Sequence, residues 1–160
     1  GACTPMIASW PAGIPEGDRG TFVRQAAYLP DFMATCIEMS GATYPGDVPA
    51  CEGASLLPLL SGTKAPIHVD PIYWEHEGNA AVRWGNWKLV REYEKPWELY
   101  DLETDRNEMK DLSESQVEKR SEMITMWEHW ATENKVAFPE RFNMYQYLNA
   151  LKKKEAEAKK

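Results

Sequence analysis

The chain has 160 residues, 43% of them apolar, with seven Trp, seven Tyr, four Phe and a formal net charge of −7. That is one modest domain or a piece of something larger, with material for a core and too acidic a balance for a general nucleic-acid binder. No apolar run reaches the roughly 18–20 residues that span a bilayer, and the opening residues carry no secretory-leader pattern.

Three cysteines, Cys3, Cys36 and Cys51, show no metal-ligand spacing and read as idle thiols. Pro5-Met6-Ile7-Ala8-Ser9-Trp10 is a short apolar run that predicts a strand. A strand without a polar face needs cover on both sides, as in a parallel sheet between helices. No βαβ repetition follows to build one. The run is therefore expected to belong to a sheet whose other strands lie upstream of Gly1, which makes the chain a C-terminal portion. Residues 11–20 are loop by their Gly and Pro content. Asp31 is placed to cap a helix with Phe32, Met33, Cys36 and Ile37 on one face and Gly41 as its stop. A Pro- and Gly-bearing stretch follows, interrupted by Leu56-Leu57-Pro58-Leu59-Leu60.

From residue 71 the apolar period changes to two. Residues 72–76 and 80–84 flank the turn Glu77-Gly78-Asn79, Gly85-Asn86 reverses the chain into 87–93, and 97–101 follow Pro96. Four short strands with short loops predict an antiparallel meander. Ser113 and Gln116 stand at capping-box spacing ahead of Val117, Ile124, Trp127, Trp130 and Ala131, a helical stripe fit to cover one sheet face. Pro139 opens a second helix with Met144, Tyr147, Leu148 and Leu151, and a lysine-rich end follows.

Cys3-Thr4-Pro5 has no base or cation in the neighbouring sequence to activate the thiol. Trp74-Glu75-His76-Glu77-Gly78-Asn79 is the most chemically equipped cluster. Strand alternation puts Trp74 and His76 on one face and Glu75 opposite. An imidazole and an amide beside an indole suit sugar hydroxyls or an anion. The bland reading is a hairpin tip with incidental polar groups. Lys88 either meets an anionic substrate or is an edge lysine with its stem on Trp. His68 and His129 read as surface residues, and the Trp set as packing rather than a carbohydrate platform.

These residues together resemble type I (arylsulfatase-like) sulfatases. Gly1-Ala2-Cys3-Thr4-Pro5-Met6-Ile7-Ala8-Ser9-Trp10-Pro11-Ala12-Gly13-Ile14 is similar to the segment after the family's Glu-Gly-Gly stretch. The Trp74–Asn79 cluster with Ala81-Val82-Arg83-Trp84-Gly85-Asn86-Trp87-Lys88-Leu89-Val90 resembles its C-terminal hairpin. Trp97-Glu98-Leu99-Tyr100-Asp101-Leu102, with Asp105, Glu108, Asp111 and Leu112, resembles the next strand and exit loop. The order matches from residue 1 to about 138. In two places the pattern is broken: Cys3-Thr4-Pro5 runs on into Met6-Ile7, unlike the formylglycine signature, and Tyr28 stands where the family usually has the His of a His-x-x-Asp pattern.

The resemblance implies an α+β fold: a small four-stranded antiparallel sheet packed by a long C-terminal helix, plus an N-terminal strand and helix of a larger α/β sulfatase domain. The expected divisions are residues 1–65, the end of that large domain; 66–138, the antiparallel subdomain; and 139–160, a final helix and charged tail. The implied function is hydrolysis of sulfate esters. This chain would complete the fold and rim the pocket, with His76, Asn79 and Glu75 as its substrate-binding residues. No catalytic residue, metal or cofactor is expected on it, since the family's calcium ion and formylglycine belong to the upstream polypeptide. The implied partners are that sulfatase domain and a sulfated small molecule or glycan, with no nucleic acid and no membrane span, in a periplasmic or secreted setting. The alternative is a free-standing carbohydrate-binding or interaction module.

Overall fold

A computed structural model describes residues 4–137. The chain divides into two compact units with the boundary between Val69 and Asp70. The predicted helix from Pro139 and the 139–160 segment lie outside the described residues, as does Cys3.

The second unit holds the meander. Its strands β1 (Ile72–His76), β2 (Asn79–Trp84), β3 (Trp87–Arg91) and β4 (Glu98–Asp101) form an antiparallel sheet in the order β1-β2-β3-β4. Glu77 and Gly78 both take positive φ, 52° and 84°, so the first reversal is a tight two-residue turn and Asn79 is already paired with His76. The third strand stops at Arg91 rather than Tyr93, because Lys95 N–H closes a turn on Glu92 O at 2.9 Å and Glu94 turns left-handed.

Register decides which side chains meet. Tyr73, Val82, Leu89 and Leu99 align across the four strands, and with Ala80 they lie on one face. That face packs on α3 (Val117–Glu133) through Met123, Trp127 and Ala131, spaced four apart on one helix side. Val117, expected on the same stripe, is 48% exposed at the first turn. Aromatic contacts extend this core: Tyr73 stacks on Trp130 at 5.2 Å, and the Arg91 guanidinium lies 4.5 Å from the Trp97 ring centroid. Five of the seven Trp (Trp84, Trp87, Trp97, Trp127 and Trp130) therefore pack within this unit, as the packing reading expected. The other face of the sheet carries Ile72, Arg83, Lys88 and Tyr100 in one row and Trp74, Ala81, Val90 and Glu98 in the next.

The expected capping box ahead of α3 does not form. Gln116 is the N-cap without a side-chain bond, and Ser113 instead donates its hydroxyl to Asp111. Asp111 also accepts Leu99 N–H at 3.0 Å and Ser113 N–H at 2.8 Å, and Leu112 N–H bonds Leu99 O at 2.8 Å. These bonds occupy β4 at the sheet edge. Burial alone would raise the Asp111 carboxyl, but the three donors and the Arg120 charge outweigh it and hold it below the usual value.

In the first unit, α1 (Pro30–Ser40) ends at Gly41, whose φ of 66° suits the left-handed stop the sequence predicts. Its cap differs from expectation. Leu29 is the N-cap, Pro30 opens the first turn, and Asp31 sits inside that turn with its carboxylate buried. The buried side of α1 is Asp31 and Thr35, while Phe32 and Met33 of the predicted apolar face are exposed. A second short helix, α2 (Leu57–Leu60), follows the buried Leu56. Residues 5–10 form no strand: no neighbouring strand in this unit's described residues offers their backbone a ladder, and Ile7 is 94% exposed.

Candidate functional site

The sheet brings two loops to one end: the β1–β2 tip and residues 92–97 between β3 and β4. This follows from antiparallel order, since the β2–β3 turn at Gly85-Asn86 lies at the opposite end. At the tip, Glu75 Oε1 accepts Gly78 N–H at 2.8 Å, which offsets the left-handed turn by satisfying an amide that the ladder leaves over. Asn79 Nδ2 donates to His76 O at 2.8 Å, and Asn79 Oδ1 accepts Tyr93 N–H at 3.0 Å. The His76 ring is exposed, on the sheet face that α3 does not cover, together with Trp74. Of the three predicted site residues, His76 thus presents its side chain outward, while Glu75 and Asn79 direct their polar atoms at the backbone of the tip. Trp74 contributes a carbonyl as well: it accepts the Trp127 indole N–H at 3.2 Å.

Lys88 corrects both of its readings. It is on an interior strand, its side chain is 11% exposed, and its ammonium is 2.6 Å from each Glu108 oxygen. Glu108 reaches it from a left-handed backbone position, φ 56°, that Asp105 supports by accepting Met109 and Lys110 N–H. The pair fastens the exit loop to the sheet and neutralises the lysine.

Sequence reasoning missed a polar node in the first unit. The Asp31 carboxylate accepts Tyr28 N–H at 2.8 Å and Ala54 N–H at 2.9 Å, and lies 2.9 Å from His68 Nε2. Thr35 extends the node by donating to Asp31 O and accepting Leu56 N–H. His68 is therefore not the surface residue expected; its side chain is 14% exposed, and its ring meets Tyr28 edge-on at 5.3 Å. Tyr28, at the broken His-x-x-Asp position, donates its hydroxyl to Glu52 O. Burial, then the Asp31 charge, raises its phenol above the ordinary value. The signal was present in the Tyr28/Asp31 spacing, but a partner 37 residues away leaves no periodic trace.

Neither group implied by the resemblance fits the side chains here. No cluster of three or more His, Cys, Asp or Glu among the described residues has the geometry of a metal cradle. Asp31 and Asp111, the best-placed carboxylates, are each committed to backbone amides. Cys36 and Cys51 are free, and neither begins a Cys-x-Pro-Ser/Ala-Arg run. No helix among the described residues is long and apolar enough to cross a membrane.

Comparison with known proteins gives a consistent result. The family model described as N-sulphoglucosamine sulphohydrolase, C-terminal, matches residues 2–135. An uncharacterized sulfatase of Schizosaccharomyces pombe is 29% identical over 109 residues, 61% of this chain and 20% of that protein. A choline-sulfatase of Rhizobium meliloti is 30% identical over 91 residues, 53% of this chain and 17% of that protein. Among solved structures, Ps i-CgsB superposes with a TM-score of 0.67 at 25% identity, over 88% of this chain and 31% of that one. A chain solved with its substrate D-glucosamine-2-N,6-O-disulfate shares the fold at a TM-score of 0.51 and 24% identity, over 71% of this chain and 25% of that one. The chain thus spans about a fifth of the length of the curated relatives it matches.

Proposed function

The chain belongs to the C-terminal family of N-sulphoglucosamine sulphohydrolases, and from that premise we propose that it is the C-terminal part of an enzyme that hydrolyses sulfate esters. In this reading it completes the fold of a longer sulfatase and rims the substrate pocket with the β1–β2 tip. His76 meets the organic portion of a sulfated small molecule or glycan, and Glu75 and Asn79 shape the tip that carries it. In the same reading the rest of the enzyme supplies the nucleophile and the calcium site. An exported setting, periplasmic or secreted, is part of the same proposal.

The single observation that carries the reading is the family match over residues 2–135, which takes in both units together. A second feature supports it. Ten of the twelve large apolar side chains exposed among the described residues, including Ile7, Phe22 and Leu29, lie in the first unit. A larger sulfatase domain would give them cover. The chemistry asked of this chain is binding and orientation: an exposed imidazole on a braced turn donates or accepts a hydrogen bond without reorganising.

The test is steady-state kinetics on the intact enzyme with D-glucosamine-2-N,6-O-disulfate and 4-nitrocatechol sulfate as probes. His76→Ala is expected to raise KM by about tenfold, the loss of roughly one hydrogen bond. Two results would overturn the proposal: turnover of either probe by the 160-residue chain alone with calcium, or an unchanged KM in His76→Ala.

A further inference from the structure

Resting on the reading that the β1–β2 tip borders the substrate, we propose that Asn79 is a positioning residue. It latches the tip to residues 92–97, so that this loop becomes the second substrate-facing element of one rim. Both ends of its amide are already engaged: Nδ2 with His76 O at 2.8 Å and Oδ1 with Tyr93 N–H at 3.0 Å. One N–H and one lone pair remain, but the two bonds fix the amide against the backbone of both loops. Its contribution is to fix the backbone that carries the His76 ring and to hold Tyr93 beside the turn.

Gly78 completes the latch. The Tyr93 ring lies against its backbone so closely that a Cβ there would collide with the ring, and its φ of 84° suits glycine alone. The two loops also share the same kind of strain. Glu77 and Glu94 take left-handed φ of 52° and 62°, conformations that non-glycine residues hold only when their surroundings impose them. Tight reversals on both sides bring the Tyr93 amide to Asn79. The consequence is a rim whose two halves move together, with His76 on one half and the side chains of residues 92–97 on the other.

The test compares Asn79→Ala with Asn79→Asp in the intact enzyme, since a carboxylate still accepts the Tyr93 N–H. Amide hydrogen exchange at Tyr93 is expected to quicken about tenfold in Asn79→Ala and to stay within about threefold of the parent in Asn79→Asp. KM for 4-nitrocatechol sulfate follows the same order, raised in the alanine variant and restored by aspartate, with kcat moving less than KM. Unchanged Tyr93 exchange in Asn79→Ala would show that there is no latch. An aspartate variant with a higher KM than the alanine one would make Asn79 a direct ligand, its new charge repelling the anionic probe, and would overturn the proposal. Failure of the rim reading itself is separable: His76→Ala would then leave KM unmoved while the exchange pattern at Tyr93 persisted.

Discussion

The two units are held together by opposite means. In the second, a row of side chains from four strands meets three helical residues, and Val82, Leu89, Leu99 and Met123 are fully buried. In the first, the most buried large side chains are a carboxylate and Leu56, and hydrogen bonds to Asp31 and Thr35 tie α1 to residues 54–56 and to His68. Apolar burial is non-directional and tolerates small shifts; a buried carboxylate stabilises only while each donor stays in place. The second unit thus has a core of its own, and the first has a polar keystone under a largely exposed apolar surface.

This contrast can be broken from its strong side. Leu99→Ala removes a fully buried β4 side chain from the core shared by the sheet and α3 and is expected to cost about 4 kcal/mol, read as a lower urea midpoint. Hydrogen exchange should report the loss throughout the second unit. A cost under about 1 kcal/mol would show that this core is not what holds the sheet to the helix.

The keystone comes next. Asp31→Ala strands the Tyr28 and Ala54 amides and the His68 ring, and is expected to cost about 3 kcal/mol. Exchange should quicken at Tyr28 and Ala54 and leave the β-sheet amides as they were. Equal loosening of both units would mean that the Asp31 node does not act within the first unit alone.

A smaller effect tests the sheet edge. Asp111→Asn is expected to cost about 1 kcal/mol at neutral pH, because it weakens charge-assisted bonds to Leu99 and Ser113 on an exposed side chain. The folded carboxyl lies below its unfolded value of about 3.9, so the contribution is complete above that pH and disappears as pH falls through the folded value. Thermal unfolding midpoints of parent and variant should therefore begin to converge only below about pH 4 and meet once the pH is beneath the folded value. Smallest of all, Leu29→Ser should change stability by less than about 0.5 kcal/mol, since the side chain is exposed. It should still lower the binding of a hydrophobic dye to the chain.

Much of the second unit was legible because its information is local. Alternation marked β1 to β4 within a residue or two, Glu77-Gly78 and Gly85 marked the reversals, and the Trp127–Ala131 spacing marked α3. Alternation also put His76 and Trp74 on one face, where the register places them. Other assignments failed where a residue's partner is distant. Ser113 had the spacing of a cap, but Asp111 was nearer and took its hydroxyl. Lys88 looked like an edge residue until the strand order made β3 interior and Glu108 was folded back onto it. Asp31 looked like a helix cap and His68 like a surface residue, yet they meet.

By itself, the sequence determined the periodicities, the turns and therefore the kinds of elements, because backbone geometry repeats every 3.6 or 2 residues and a pattern of apolar side chains records it. It also determined the family, through the order of its segments. Only the tertiary structure decided the roles of the polar residues, that Asn79 braces, that Lys88 pairs with Glu108 and that Asp31 gathers two backbone amides and an imidazole. The physical reason is that a hydrogen bond depends on a few tenths of an ångström and on an angle, and those are set by register and loop closure rather than by spacing along the chain.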